Sequence, residues 1–331
     1  MGRSVRGRGS MLAVVLLVAL ALVGGFAPVG ATGEGRVQDP LPPGDRAALD
    51  RWGGTATPAD SAPTTSRAAR NRCGKVLVKP NGRRWRCSFV DNFAGTQLNR
   101  DKWIVQQTHE TGFYTGLTCY QDDPSTVAVG NGKLRVSVRK ARREFSCRLP
   151  GGRFSTPYSG GMVGTRTKFS QTYGRWEVRA KFPTAKRVSG LHGGYWMYPF
   201  EQTYGPWPES GEIDVAEWWS KFPRRIIPSL HFDGRDRRVD SGRNCLVPKP
   251  TRFHTYRLLW TPKVMRFFVD GRQCFKRSWQ PRLPQRAPQP FDHPFSFILH
   301  LGVGKAGGPH KVTDRTKVPA TFVVDYAKAW R

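Results

Sequence analysis

Acidic side chains are scarce in this chain: 24 Asp and Glu stand against 54 Lys and Arg, a formal net charge of +30 over 331 residues. A deficit of that size rules out an acidic surface. It predicts attraction to polyanions such as nucleic acid, anionic cell-wall polymers or acidic glycans, although a merely solvated surface would carry the same charge. The charge says nothing about fold. Long helical periodicity is also missing, which excludes a helix bundle, and no internal repeat is visible, which excludes a solenoid or propeller. None of the six cysteines, at 73, 87, 119, 147, 245 and 274, forms a C-x-x-C pair, and their wide spacing argues against a zinc site.

What is present begins with MGRSVRGRGS, three arginines and no acid, followed by the short apolar run MLAVVLLVALALVGGF. The run is too short and too glycine-interrupted to span a bilayer comfortably, and it leads to the small residues Val29-Gly30-Ala31. Residues 1–31 therefore read as a signal peptide cleaved near Ala31, and the mature chain is expected to be secreted, with no membrane attachment. In an oxidising compartment six cysteines favour disulfides. The simplest pairing is sequential, 73–87, 119–147 and 245–274, among fifteen connectivities that six cysteines allow. Residues 32–72, rich in Pro, Gly, Ala, Thr and Arg, read as a disordered linker or propeptide.

From Cys73 to residue 331 the texture changes to short alternating runs between turn signals. In YGRWEVRAKF (173–182), Trp176, Val178, Ala180 and Phe182 face one way, and Arg175, Glu177, Arg179 and Lys181 face the other. Asp270-Gly271 inside VMRFFVDGRQCF marks a hairpin. Many short strands over this length predict an all-β fold, an antiparallel sandwich or jelly roll.

Against the general shortage of acid, GEIDVAEWW (211–219) places Glu212, Asp214 and Glu217 within six positions. In a regular strand Glu212 and Asp214 share a face, but Glu217 would turn to the apolar side. One β-bulge around Val215-Ala216 returns it to the face of the other two. Two glutamates about 5–5.5 Å apart suit a retaining glycosidase, and a third acid between them pushes their pKa values apart. A solvated face, structural pairing with arginine or binding of a hard cation would account for the same spacing. Trp196, Trp207, Trp218 and Trp219 crowd the segment and offer faces on which sugar rings stack.

GEIDVAE resembles the signature of glycoside hydrolase family 16, the laminarinase and lichenase group, in its bulged E-x-D-x-x-E form. FVDNFAGTQLNRDKW (89–103), SGGMVGTRTKFSQTYGRWEVRAKFP (159–183), GLHGGYWMYP (190–199), SLHFDG, FHTYRLLWTP, VDGRQCF, PFSFILHLGVG and FVVDYAKAW are similar to further family segments in family order. The resemblance implies a β-jelly-roll sandwich of two antiparallel sheets with a concave substrate cleft. It implies Glu212 as nucleophile, Glu217 as general acid/base and Asp214 as the assisting carboxylate. Trp207 is expected to line the subsite at the scissile bond, Trp196 and Arg175 to stand on the cleft side, and His231 to lie near the acid/base. It also implies the Cys245–Cys274 disulfide of one bacterial branch, and it allows a structural calcium at Asp325, with no cofactor required.

Two positions depart from the pattern: His192 and Gly193 replace the usual Trp-Pro, and His300 replaces an asparagine. Both places touch sugar in the family, so specificity does not carry over directly. The expected activity is hydrolysis of β-1,3- or mixed β-1,3/1,4-glucan by a monomeric endo-glycosidase that binds no nucleic acid. A hydrolase or transglycosylase acting on galactan-type or sulfated polysaccharide is the alternative. A non-catalytic glucan-recognition protein is a weaker one, since both glutamates are kept.

Overall fold

Period-two alternation dictates the sheets. In the strand Gly174–Lys181, Trp176, Val178 and Ala180 are fully buried, while Arg175, Arg179 and Lys181 look outward. The computed structural model describes residues 73–241 and 244–331. The expected signal peptide (1–31) and linker (32–72) lie outside the described residues.

Fifteen strands are described, against one α-helical turn, α1 (Thr108–Thr111), and a 3-10 turn at Arg237–Val239. An inner face is built from β2 (Ile104–Val105), the end of β6 (Gly152–Gly164), β8 (Leu191–Pro199), β9 (Glu212–Trp219), β10 (Ile227–His231) and β14 (Phe295–Val303). Its order is β10-β9-β8-β14-β6. The outer face holds β1 (Cys87–Asp91), β3 (Thr118–Tyr120), β4 (Val127–Gly130), β5 (Lys133–Leu149), β7 (Gly174–Lys181), β11 (His254–Trp260), β12 (Met265–Val269), β13 (Arg272–Arg277) and β15 (Ala320–Trp330). Its central order is β5-β15-β7-β11-β12-β13.

The jelly roll expected from the sequence is present, with two differences. The two faces are joined through β6, which pairs with β5 along its first part and with β14 along its end, so the sheet wraps almost into a barrel. Pairing is antiparallel except between β3 and β6, which run parallel.

Aromatic side chains fill the space between the faces. Trp176 of β7 meets Phe297 of β14 edge-on, with ring centroids 4.7 Å apart. Phe182, just beyond β7, stacks on Trp218 of β9 at 5.1 Å. Such contacts fix one face over the other by dispersion and by ring geometry. The predicted hairpin joins β12 to β13, and its Asp270 and Gly271 both adopt positive φ, +49° and +82°. All three sequential disulfides are present: Cys73–Cys87, Cys119–Cys147 and Cys245–Cys274.

Candidate active site

Strand β9 is buried along its whole length, so each residue must face either the core or a partner. Ile213, Val215, Ala216 and Trp218 join the aromatic core. The register against β8 runs Gly194 to Glu217, Tyr195 to Ala216, then Trp196 to Asp214, leaving Val215 without an opposite number. The same shift recurs against β10, where Ile227 faces Glu217 and Ser229 faces Asp214. The bulge anticipated at Val215-Ala216 is therefore present, and it returns Glu217 to the face of Glu212 and Asp214. All three carboxylates line one recess of the inner face with Gly194, Trp196 and His192. Gly194 has to be glycine: a Cβ there would lie 2.6 Å from the Ala216 carbonyl oxygen, in the bulge itself.

Each acid has its own surroundings. Glu212 is 1% exposed and accepts a hydrogen bond from the Trp207 indole, Nε1 to Oε2, at 2.8 Å. Asp214 Oδ2 accepts from the Ser229 hydroxyl at 2.7 Å and lies 2.7 Å from His231 Nε2. Glu217 Oε1 lies 3.2 Å from His192 Nε2. Burial and then the Asp214 charge push the Glu217 carboxyl up to about 8, against smaller opposing pulls from the His231 charge, the Trp219 indole and the Arg235 charge. At neutral pH this group keeps its proton, as a general acid requires.

His192 is in turn held from behind. His300 Nε2 lies 3.3 Å from His192 Nδ1, and Trp196 Nε1 donates to His300 Nδ1 at 3.0 Å. The His192 ring stacks on Trp219 at 3.9 Å between centroids. Burial, with His192 beside it, holds His300 well below the ordinary imidazole range.

Glu212, Asp214, Glu217, Trp207, Trp196, His192 and His231 are thus brought together, although His231 bonds Asp214 instead of Glu217. Arg175 is not among them, and its expected cleft-side place is corrected. Alternation of β7 turns it to the outside of the other face, where it pairs with Glu177 at 2.5 Å and covers the Trp330 ring. The calcium allowed at Asp325 does not fit either: one carboxylate oxygen takes Lys133 Nζ at 2.7 Å and the other takes Arg179. Glu212, Asp214 and His231 bring ligand-capable atoms within 4.8 Å of one another, but the hydrogen bonds above already occupy Glu212 Oε2 and Asp214 Oδ2. Ser229 was not foreseen as a member of the site; only its place on the strand that pairs with the acid strand could have signalled it.

A buried strand that aligns two glutamates about a third carboxylate, on the concave face of a jelly roll, defines a glycosidase-type site. The chain belongs to the glycosyl hydrolases family 16, whose profile matches residues 118–316. It is 31% identical over 264 residues to glucan endo-1,3-beta-glucosidase A1 of Niallia circulans, covering 73% of this chain and 37% of that protein's length. It is 35% identical over 212 residues to the beta-glucanase of Rhodothermus marinus, covering 61% of this chain and 69% of that protein. The X-ray structure of the laminarinase from Rhodothermus marinus superposes with a TM-score of 0.63 at 30% identity, over 75% of this chain and 97% of that one.

Proposed function

We propose that this protein is a secreted, retaining endo-glycosidase that cleaves β-1,3- or mixed β-1,3/1,4-glucan. The observation that carries the reading is the contrast between two glutamates on one face of β9. Glu212 is steadied by the Trp207 indole, and Glu217 is pushed up to about 8 beside Asp214. Glu212 attacks the anomeric carbon while Glu217 gives its proton to the departing glycosidic oxygen, so the bond breaks and a glycosyl-enzyme ester forms. Glu217, now a carboxylate, takes a proton from water; the resulting hydroxide oxygen bonds to the anomeric carbon and Glu212 leaves. A sugar hydroxyl in place of water would give transglycosylation. Asp214, held by Ser229 and His231, keeps a negative charge or a shared proton between the two and maintains their difference.

The substrate comes from what the relatives' names say they cleave, together with the tryptophans at the cleft. The basic surface gives the enzyme a means of lodging on anionic cell-wall polymers near its substrate.

The test is a panel of laminarin, lichenan, agarose and carrageenan, with the product anomer followed by proton NMR from the first minutes. The reading predicts β-configured products from the first two glycans. Glu212→Gln should lower turnover by about 10³-fold or more with an unchanged melting temperature. Inverted products, or an active Glu212→Gln, would sink it. Cleavage confined to agarose or carrageenan would keep the mechanism and move the substrate.

A further inference from the structure

We propose that Trp196, His300 and His192 form a hydrogen-bond chain of fixed polarity that directs the acid proton of Glu217 onto Oε2, making both histidines positioning residues for the acid step. The proposal takes Glu217 as the general acid of the preceding section.

The polarity follows from donor chemistry alone. An indole N–H can only donate, so His300 Nδ1, 3.0 Å from Trp196 Nε1, must be an unprotonated acceptor. A neutral imidazole then carries its hydrogen on Nε2, and His300 donates it to His192 Nδ1. That makes His192 Nδ1 an acceptor too, and its own hydrogen sits on Nε2, aimed at Glu217 Oε1. With Oε1 occupied as an acceptor, the carboxylic hydrogen belongs on Oε2. Neither ring can take a second proton without losing a bond on its Nδ1 side. Both are almost fully buried, His192 at 3% and His300 at 4% exposed, where an unpaired charge is costly. The low affinity of His300 for a second proton agrees.

The groups facing Glu217 come from every neighbouring element: Glu212 and Asp214 along β9, His231 of β10 with Arg235 just beyond it, His192 of β8 and His300 of β14. Among these, His192 hydrogen-bonds a carboxyl oxygen, Nε2 to Oε1 at 3.2 Å, and the Trp219 indole on which its ring stacks also favours the charged form of Glu217. His192 acts as a donor at all working pH values and is not a proton relay. A donor onto a carboxylate favours the charged form, so its removal must raise the affinity of Glu217 for its proton.

Two measurements test this on the full chain. In His192→Leu the alkaline limb of kcat/KM should move up by about one pH unit, and kcat at neutral pH should fall roughly tenfold as the proton loses its preferred oxygen. His300→Gln, whose amide can both accept from Trp196 and donate to His192, should keep the wild-type limb within about twofold in rate. A limb unmoved in His192→Leu, or moved as far in His300→Gln, overturns the proposal. Should either variant fail to fold, imidazole ¹⁵N NMR of the unsubstituted protein decides. Both rings should be Nε2–H tautomers that do not titrate between about pH 5 and 8, where an ordinary histidine would. An Nδ1–H tautomer, or titration of either ring, overturns it. These resonances are read without substrate, so a chain that cleaves none of the glycans while showing both tautomers would remove the acid role of Glu217 and leave the polarity standing.

Discussion

Glu217 ties activity and stability to pH in opposite ways. In the acid role proposed for it Glu217 must be protonated, so kcat/KM should fall as pH rises through about 8, the range to which burial and Asp214 push it. The same shift costs stability. The unfolded chain releases this proton near the ordinary value of 4.5, while the folded chain keeps it to about 8. The native state therefore loses stability as pH climbs between those values. Glu217→Gln should then be inactive yet melt higher than the wild type, with a gain of order 1–3 kcal/mol that grows from pH 5 to pH 8 and is read by thermal unfolding. At this scale the three carboxylates were legible from their spacing among apolar residues, and Trp207 and His231 through the resemblance to family 16. The partnership of His192 and His300 was not. They lie 108 residues apart and meet only because β8 and β14 pair with His300 opposite Gly194. Arg175 misled because a strand residue's face is known only relative to its neighbours; which of the two sheets held β7 was not written in its alternation.

The bulge in β9 is where parity becomes chemistry. Its presence could be deduced from the sequence, since without it the spacing of five between Glu212 and Glu217 puts them on opposite faces. Deleting Val215 should therefore be tolerated better than a deletion elsewhere in the strand. Ala216 would take the vacated core position, at a cost of about 1–3 kcal/mol for the lost methyl groups, and a regular strand would still show all three acids to the cleft. Deleting Ile213 instead should uncouple Glu212 from Asp214 and abolish hydrolysis. The comparison is made by far-UV circular dichroism and kcat/KM on laminarin; an active Ile213 deletion would contradict this account of the strand. What remained hidden at this scale was length. The alternating sequence GKLRVSVRK (132–140) has the pattern of a short strand but opens the 17-residue β5, because the mostly exposed stretch KARREFSCRL (140–149) that follows has neither a dry face nor a turn residue to mark a boundary.

For the whole molecule, the all-β class followed from many short alternating runs and the jelly roll from the family resemblance, but the continuity of the sheet followed from neither. Strand β6 serves both faces, and nothing in its glycine-rich end states where one face stops. The disulfides were legible as a sequential set. Cys245–Cys274 closes 29 residues of chain, and replacing both cysteines by serine should cost about 3–4 kcal/mol of stability in a denaturant titration. The net charge of +30 predicts that retention on an anionic polymer falls about tenfold or more between roughly 0.05 and 0.5 M salt, whereas hydrolysis of a neutral soluble glucan should change little. Strand β9 carries one more consequence. Every residue of it is buried, with the core on one side and the carboxylate recess on the other. The three carboxylates proposed as catalytic thus ride on a segment that cannot fray or open by itself. Inactivation and global unfolding should be a single cooperative event, so residual hydrolysis at any denaturant concentration will report the fraction of molecules still folded, with no folded but silent intermediate between.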